Sequence, residues 1–254
     1  MTYLQFLLVF LCVPLLFVYT EFRKSELPNK REFSVGILLL IFLAVSYTTP
    51  WDNYLVKSGV WIYGEDRILG TIGYVPVEEY CFFVLQTILS GLFCFLLQGR
   101  FSLKRGNSRS SLKHIVSICY GGLFLVGLGC LYFERTRYLG LILSWAMPVL
   151  LLQWIAGGGH LLTNLKIFLA SALIPTFYLW IADALALSWG IWSISETYII
   201  GVKIGSLPLE EAVFFLLTNL MVAQGVILFV VMKEEVAKVL SSKRRILEWV
   251  GWSG

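Results

Sequence analysis

Pro76-Val77-Glu78-Glu79-Tyr80-Cys81-Phe82-Phe83 opens an apolar run that continues to residue 98. A second copy, Pro208-Leu209-Glu210-Glu211-Ala212-Val213-Phe214-Phe215, heads a run that ends near residue 232. Each copy sets a proline, two carboxylates and an aromatic pair at the mouth of a segment long enough to cross a bilayer core of roughly 30 Å. Ionisable groups in such segments are expensive to bury and mark functional sites by default. The match continues upstream. Tyr47 and Tyr178 stand five residues before Asp52 and Asp183, and Gly59-Val60-Trp61 matches Gly190-Ile191-Trp192. Downstream, Gln86-Thr87 corresponds to Thr218-Asn219. Trp61 to Pro76 is one residue shorter than Trp192 to Pro208, so one insertion separates the copies. The matched positions are the polar and aromatic ones, which a merely apolar composition does not explain.

The rest of the chain supports a membrane setting. Of 254 residues, 58% are hydrophobic and 14% charged, and the mean hydropathy is +0.79. These values describe an all-α polytopic membrane protein rather than a water-soluble domain. Seven runs are long enough to span, near 3–20, 33–50, 77–98, 114–133, 138–156, 165–182 and 209–232. The first lacks a basic leader and a small-x-small cleavage site, so it is kept as a span. The connections 51–76 and 183–208 are the longest and carry Trp, Tyr, Asp and Glu, so they are expected to fold back on the helices. Spans 1–3 and 5–7 form the repeats. Span 4 joins them and keeps them in the same orientation, which predicts a 3+1+3 bundle with a pseudo-two-fold axis along the membrane normal. The expected division is a first repeat at 1–98, a basic loop and linking helix at 99–137, a second repeat at 138–232 and a basic tail at 233–254.

Charge sets the expected orientation. The net charge is +4, and the basic residues cluster in short loops, as topology determinants do, with no nucleic-acid footprint. Fifteen Lys and Arg fall on the side of the loops after spans 1, 3 and 5 and the tail, against five on the other. The N-terminus is therefore expected outside and the C-terminus in the cytoplasm, with both Pro-x-Glu-Glu motifs at the outer ends of their helices. The tail from Lys233 to Trp252 reads either as a surface-lying amphipathic helix or as a solvated helical extension. The five cysteines lie in apolar runs with no CxxC pair and are expected to pack, not to bridge or bind metal.

Pro76 and Pro208 suit the first position of a helix, where a missing N–H costs nothing. Glu78, Glu79, Glu210 and Glu211 then lie in first turns, where the helix dipole favours an anion. Burial and a second carboxyl nearby favour the protonated acid. Four Glu together with Asp52 and Asp183 are thus the candidate acid and base groups. Successive helical residues point about 100° apart, so one Glu of each pair faces the pocket and the other meets a helix partner or a backbone donor. Phe82 and Phe83, and likewise Phe214 and Phe215, lie over the glutamates at i+4. An acid beside aromatic faces suits protonation of a carbon–carbon double bond, with the cation held by the rings. Trp61, Trp192, Tyr47 and Tyr178 complete the candidate lining.

Plainer readings exist for each group. Paired Glu cap helices, Asp52 and Asp183 fit turns, the tryptophans (Trp51, Trp61, Trp189 and Trp192) fit an interfacial belt, and the phenylalanines fit bundle core. His114 and His160 have no cluster around them, so no metal is expected. Gly157-Gly158-Gly159 reads as a loop breaker, not a phosphate cradle. There is no GxGxxG in a βαβ unit, no HExxH, and no Lys in span 7 for a retinal Schiff base.

Two three-span units, each with Pro-x-Glu-Glu followed by Phe-Phe, resemble the membrane-integral lycopene cyclases. In that family the halves are separate subunits in some actinobacteria and fused in archaea, other bacteria and fungal bifunctional proteins. This chain is similar to the fused form. The resemblance implies redox-neutral isomerisation without a cofactor: a carboxylic acid protonates the terminal double bond of lycopene, the next double bond closes a six-membered ring, and proton loss sets the ring type. It implies Glu78, Glu79, Glu210 and Glu211 as the acid/base set, with Asp52 and Asp183 behind them, and a linear carotene entering sideways from the membrane lipids. Two rivals remain: a small-solute transporter with the same repeat layout, and a carotenoid-binding protein without chemistry.

Overall fold

The structure, a computed structural model, describes the backbone of residues 1–28, 30–64, 66–101, 103 and 111–249, with side chains up to residue 231 except at Ser111. Among the described residues, seven helices are long and apolar enough to cross a membrane. They are α1 (Tyr3–Lys24), α2 (Lys30–Lys57), α3 (Val77–Arg100), α4 (Ser111–Cys130), α5 (Arg137–Thr163), α6 (Leu165–Ser188) and α7 (Leu209–Trp249). Short strands fill the two long connections: β1 (Trp61–Tyr63), β2 (Thr71–Ile72) and β3 (Val75–Pro76) in the first, and β4 (Trp192–Ile194), β5 (Lys203–Ile204) and β6 (Leu207–Pro208) in the second. Both connections do fold back on the bundle.

The two motif helices form the centre. The buried share of the most apolar stretch is 56% in α3 and 50% in α7, against 6% in α4, which lies against α5. Polar side chains tie α3 to α7 within the apolar interior: Gln86 Nε2 donates to Thr218 Oγ1 at 3.1 Å and Ser90 Oγ to Asn219 Oδ1 at 2.7 Å. Such pairs satisfy groups that lipid could not.

Several boundaries differ from the expectation. Helix α2 runs on to Lys57 and α6 to Ser188, so Asp52 and Asp183 are helical and buried, not in loops. Both helices end in the same way. Val60 N donates to Leu55 O and Gly59 N to Val56 O; Ile191 N donates to Ala186 O and Gly190 N to Leu187 O. With φ of +70° and +63°, Gly59 and Gly190 supply the left-handed residue that this cap requires. Pro76 and Pro208 are not the first helical residues. They end β3 and β6, and the helices begin at Val77 and Leu209, whose N–H groups donate to Gly70 O and Val202 O. The triple glycine is no loop: it lies buried inside α5, which kinks at Gly157 and reaches Thr163. The last helix continues unbroken to Trp249. The side chains of the basic tail lie outside the described residues, as do Lys104, Arg105 and Arg109 of the basic loop.

Helix α1 starts with a capping box, in which Gln5 N donates to Thr2 Oγ1 and Thr2 N to Gln5 Oε1. Its next turn, Leu8–Cys12, is a π-helix, the usual sign of one extra residue in a helix. The corresponding positions agree. Tyr3 and Tyr138 open α1 and α5 with the same backbone bond, to Arg67 O and Tyr198 O. Tyr47 and Tyr178 donate to Trp145 O and Phe10 O. Beyond the π turn the prolines Pro14 and Pro148 correspond only if α1 carries one residue more.

Candidate active site

Strands β1 and β4 come from different connections and pair antiparallel, with Trp61 opposite Ile194, Ile62 opposite Ser193, and Tyr63 opposite Trp192. Since Trp61 corresponds to Trp192 in sequence, each rung maps onto another rung, or onto itself, when the copies are exchanged. The flanking bonds, Ser195 N to Val60 O and Gly64 N to Ile191 O, obey the same exchange. This ribbon lies over the N-terminal ends of α3 and α7, and Trp61, Tyr63, Trp192 and Ile194 line a small cavity beneath it. The cavity volume is about 30 Å³, and Tyr3, Glu79, Phe82, Asp183, Glu211, Phe214 and Phe215 complete the lining.

The two glutamates of each motif have different surroundings. Glu78 Oε1 accepts from Leu69 N at 2.7 Å, and Glu210 Oε1 from Ile200 N at 2.8 Å. The first Glu therefore holds the connection preceding its own helix. These two contacts also locate the insertion between the copies at Gly201, since Val77 N reaches Gly70 O and Leu209 N reaches Val202 O. The second Glu of each motif enters the cavity. Glu79 Oε2 accepts from Tyr3 Oη at 2.5 Å and Tyr63 Oη at 3.0 Å. Glu211 Oε1 accepts from Tyr138 Oη at 2.5 Å, and Trp61 Nε1 donates to that phenol at 2.8 Å. All four glutamates are buried.

Aromatic rings wall the space around the carboxyls. Phe214 lies 5.8 Å from Trp51, 6.0 Å from Trp145 and 5.8 Å from Trp61, centroid to centroid. Phe215 meets Phe82 at 6.0 Å and Phe214 at 5.3 Å. On the other side Trp192 packs at 4.8 Å from Tyr3 and 5.0 Å from Phe6.

The remaining candidates fall into place around this cavity, or outside it. Asp183 lines it and accepts from Trp192 Nε1 at 2.9 Å. Asp52 is fully buried and makes no hydrogen bond to a described side chain or backbone group. Phe82 shares the cavity with Glu79, so the helical spacing that matters is i+3 rather than i+4, and Phe83 faces a second, larger cavity instead. Tyr47 lines that second cavity. Tyr178 bonds the α1 backbone and is not among the cavity residues. Trp61 is buried, which removes it from an interfacial belt, whereas Trp189 stays 41% exposed.

Sequence reasoning missed three phenols: Tyr3, Tyr63 and Tyr138. A signal was present for two of them, since Tyr3-Leu4 and Tyr138-Leu139 open the first span of each repeat. Tyr63 carries no such mark, because its counterpart is Ile194. Burial, then the Glu79 charge, push the Tyr63 phenol well above its ordinary range, so it stays a donor throughout the neutral range. Removing one donor to a buried carboxyl costs roughly 1.5–3 kcal/mol. Tyr138→Phe is therefore expected to slow turnover about tenfold or more, and to lower the midpoint of thermal unfolding of the detergent-solubilised protein.

Fold and site together define a polytopic helical membrane protein with carboxyls held by phenols in an aromatic-walled cavity near the ends of its two central helices. Comparison with known sequences agrees with this class. Residues 1–97 and 135–229 match the family model described as Lycopene cyclase. A protein of Halobacterium salinarum named lycopene beta-cyclase is 39% identical over 90% of this chain and 95% of its own length. Bifunctional lycopene cyclase/phytoene synthases of Aspergillus niger and Sporisorium reilianum are each 38% identical, over 75% and 76% of this chain but only 34% and 30% of their own lengths. No solved structure matches. The chain belongs to the lycopene cyclase family.

Proposed function

We propose that this chain closes the linear ends of lycopene into six-membered rings of the β type, in a redox-neutral isomerisation of carotenoid biosynthesis. The observation that carries this reading is the placing of Glu79 and Glu211, one from each repeat, in one buried cavity walled by aromatic rings. An apolar, water-poor site is where a carboxyl retains its proton and acts as a general acid. The acid adds its proton to the terminal double bond. The resulting tertiary cation is attacked by the next double bond, which forms the ring carbon–carbon bond and moves the charge into the ring. A carboxylate then takes a ring proton, which leaves a ring double bond and a product of unchanged composition. The faces of Phe82, Phe214 and Phe215 are the groups that hold the cation. The phenols of Tyr3, Tyr63 and Tyr138 fix the carboxyls.

In this reading Glu79 and Glu211 do the proton chemistry. Glu78 and Glu210 are positioning residues, and Asp52 and Asp183 stand behind the two glutamates as second-rank acid groups. The exchange-symmetric β1–β4 ladder supports two parallel repeats related by a two-fold axis. So does the break in the family match at 98–134, which is the basic loop and α4. The basic-residue bias supports an N-terminus outside and a C-terminus in the cytoplasm. Expression in a bacterial host that accumulates lycopene tests the reaction. Mono- or bicyclic carotene of the same mass as lycopene is the expected product. Unchanged lycopene, with the protein shown to be in the membrane, would contradict it.

A further inference from the structure

Between α2, α3, α5 and α7 lies a second cavity of about 270 Å³. Phe214 lines both this cavity and the carboxyl cavity, so its ring stands between them. The other walls are mostly alkyl and aromatic, among them Leu40, Ala44, Phe83, Trp145 and Val149, with five polar side chains of which three donors are engaged: Gln86 Nε2 on Thr218, Gln153 Nε2 on Met221 O and Thr218 Oγ1 on Phe215 O. The Tyr47 hydroxyl is spent on Trp145 O. What faces the space is therefore mainly ring face and alkyl surface. Leu43 and Tyr47 are 51% and 46% exposed on the outside of the bundle, so the mouth opens sideways, toward lipid.

The corresponding region of the other half is built differently. Ala44 corresponds to Pro175, and Thr48 to Leu179, which is buried. Thr87 corresponds to Asn219, which is locked by Ser90, Thr176 and the Phe215 carbonyl. Trp145 and Trp51 correspond to the smaller Phe10 and Ala182. The aromatic stack on Phe214 thus has no equal around Phe82.

The geometry points to this lateral cavity as the seat of a linear polyene's arm, which makes the Phe214 side the entry to the carboxyl site for both ends of the substrate. The inference rests on the reading of the chain as a carotene cyclase and assigns its substrate route. A volume of 270 Å³ is just under the range typical of whole small-molecule ligands. It therefore suits the terminal isoprenoid segment of a long polyene, with the remainder lying in the bilayer. A lining made mostly of alkyl groups and stacked rings suits a conjugated hydrocarbon better than a polar solute.

Binding and turnover test this separately. Lycopene is achiral in solution and acquires visible circular dichroism when held in a chiral site. The full-length Glu211→Gln chain in lipid nanodiscs, mixed with lycopene, is expected to show that signal. Adding Ala44→Trp or Val149→Trp is expected to abolish it. In the catalytically intact chain the same two substitutions should lower cyclised product at least tenfold. Ile174→Trp, at the position in the other half that corresponds to Leu43, should leave signal and product within twofold. Thr48→Leu, which installs the other half's residue, gives a milder version should a tryptophan variant fail to fold, and it should weaken the signal at least threefold. Undiminished signal and product in the filled variants, equal losses from Ile174→Trp, or no signal in the Glu211→Gln parent would each overturn the assignment. If the intact chain leaves lycopene uncyclised yet the signal behaves as described, the cavity assignment stands and the reaction assignment falls.

Discussion

Glu79→Gln and Glu211→Gln are each expected to lower lycopene cyclisation at least about 100-fold, in line with the 10²–10⁴ contributed by general acid–base groups. Glu78→Gln and Glu210→Gln are expected to stay within about tenfold of the parent. The split follows from the contacts. A glutamine at 79 or 211 keeps the size of the side chain and can still accept from Tyr3 or Tyr138, but it cannot deliver a proton to carbon. A glutamine at 78 or 210 still offers a carbonyl oxygen to Leu69 N or Ile200 N. The loss there is at most that of one backbone-to-side-chain hydrogen bond made less favourable, about 1 kcal/mol. Initial rates of ring formation, normalised to folded protein in the membrane, decide between the two pairs. Equal losses in all four variants would make the first Glu of each motif part of the chemistry. Full activity in Glu79→Gln or Glu211→Gln would remove that residue from the proton path.

Phe214→Leu is expected to slow the chemical step about 30-fold while changing carotene affinity less than threefold. A desolvated cation–π contact is worth about 2 kcal/mol, and about 1.36 kcal/mol corresponds to a tenfold change in rate. Phe214 is the ring with the densest aromatic surroundings, backed by Trp51, Trp145 and Trp61. It is therefore the face best fixed to meet a cation that exists only after protonation. Phe82→Leu should act in the same sense and more weakly, because among the described residues the only rings it meets are Phe83 and Phe215. Single-turnover rates at saturating lycopene, set beside binding by visible circular dichroism, separate the two quantities. Parallel losses in rate and affinity would show that the ring only packs.

Much of this architecture is legible in the chain because a bilayer leaves few choices. Lipid permits only internally bonded backbone, so the apolar runs had to be helices, and Pro-x-Glu-Glu marks where two of them begin. Asp52 and Asp183 look like turn residues in the sequence, yet α2 and α6 run through them because the cap waits for Gly59 and Gly190. The triple glycine reads as a breaker in sequence and is a kink in the structure, since glycine breaks an exposed helix but is tolerated in a packed one. Tyr3, Tyr63 and Tyr138 were harder to see. Their importance comes from long-range pairing, Tyr3 with Glu79 across 76 positions and Tyr138 with Glu211 across 73, and no local pattern reports that. The inequality of the halves was also hidden. It depends on which of two matched positions carries the larger side chain, as with Thr48 and Leu179, and on which space a ring fills.

Cyclisation in deuterium oxide tests the central claim most directly. If a solvent-exchangeable carboxyl starts each ring by protonating carbon, every ring closed in deuterated medium gains one deuteron and loses one substrate proton. The monocyclic product should then be heavier than lycopene by one mass unit and the bicyclic product by two, with the label confined to the ring carbon next to the geminal methyl groups. Cyclic carotene formed without deuterium at that carbon would contradict proton-initiated closure and the roles given to Glu79 and Glu211.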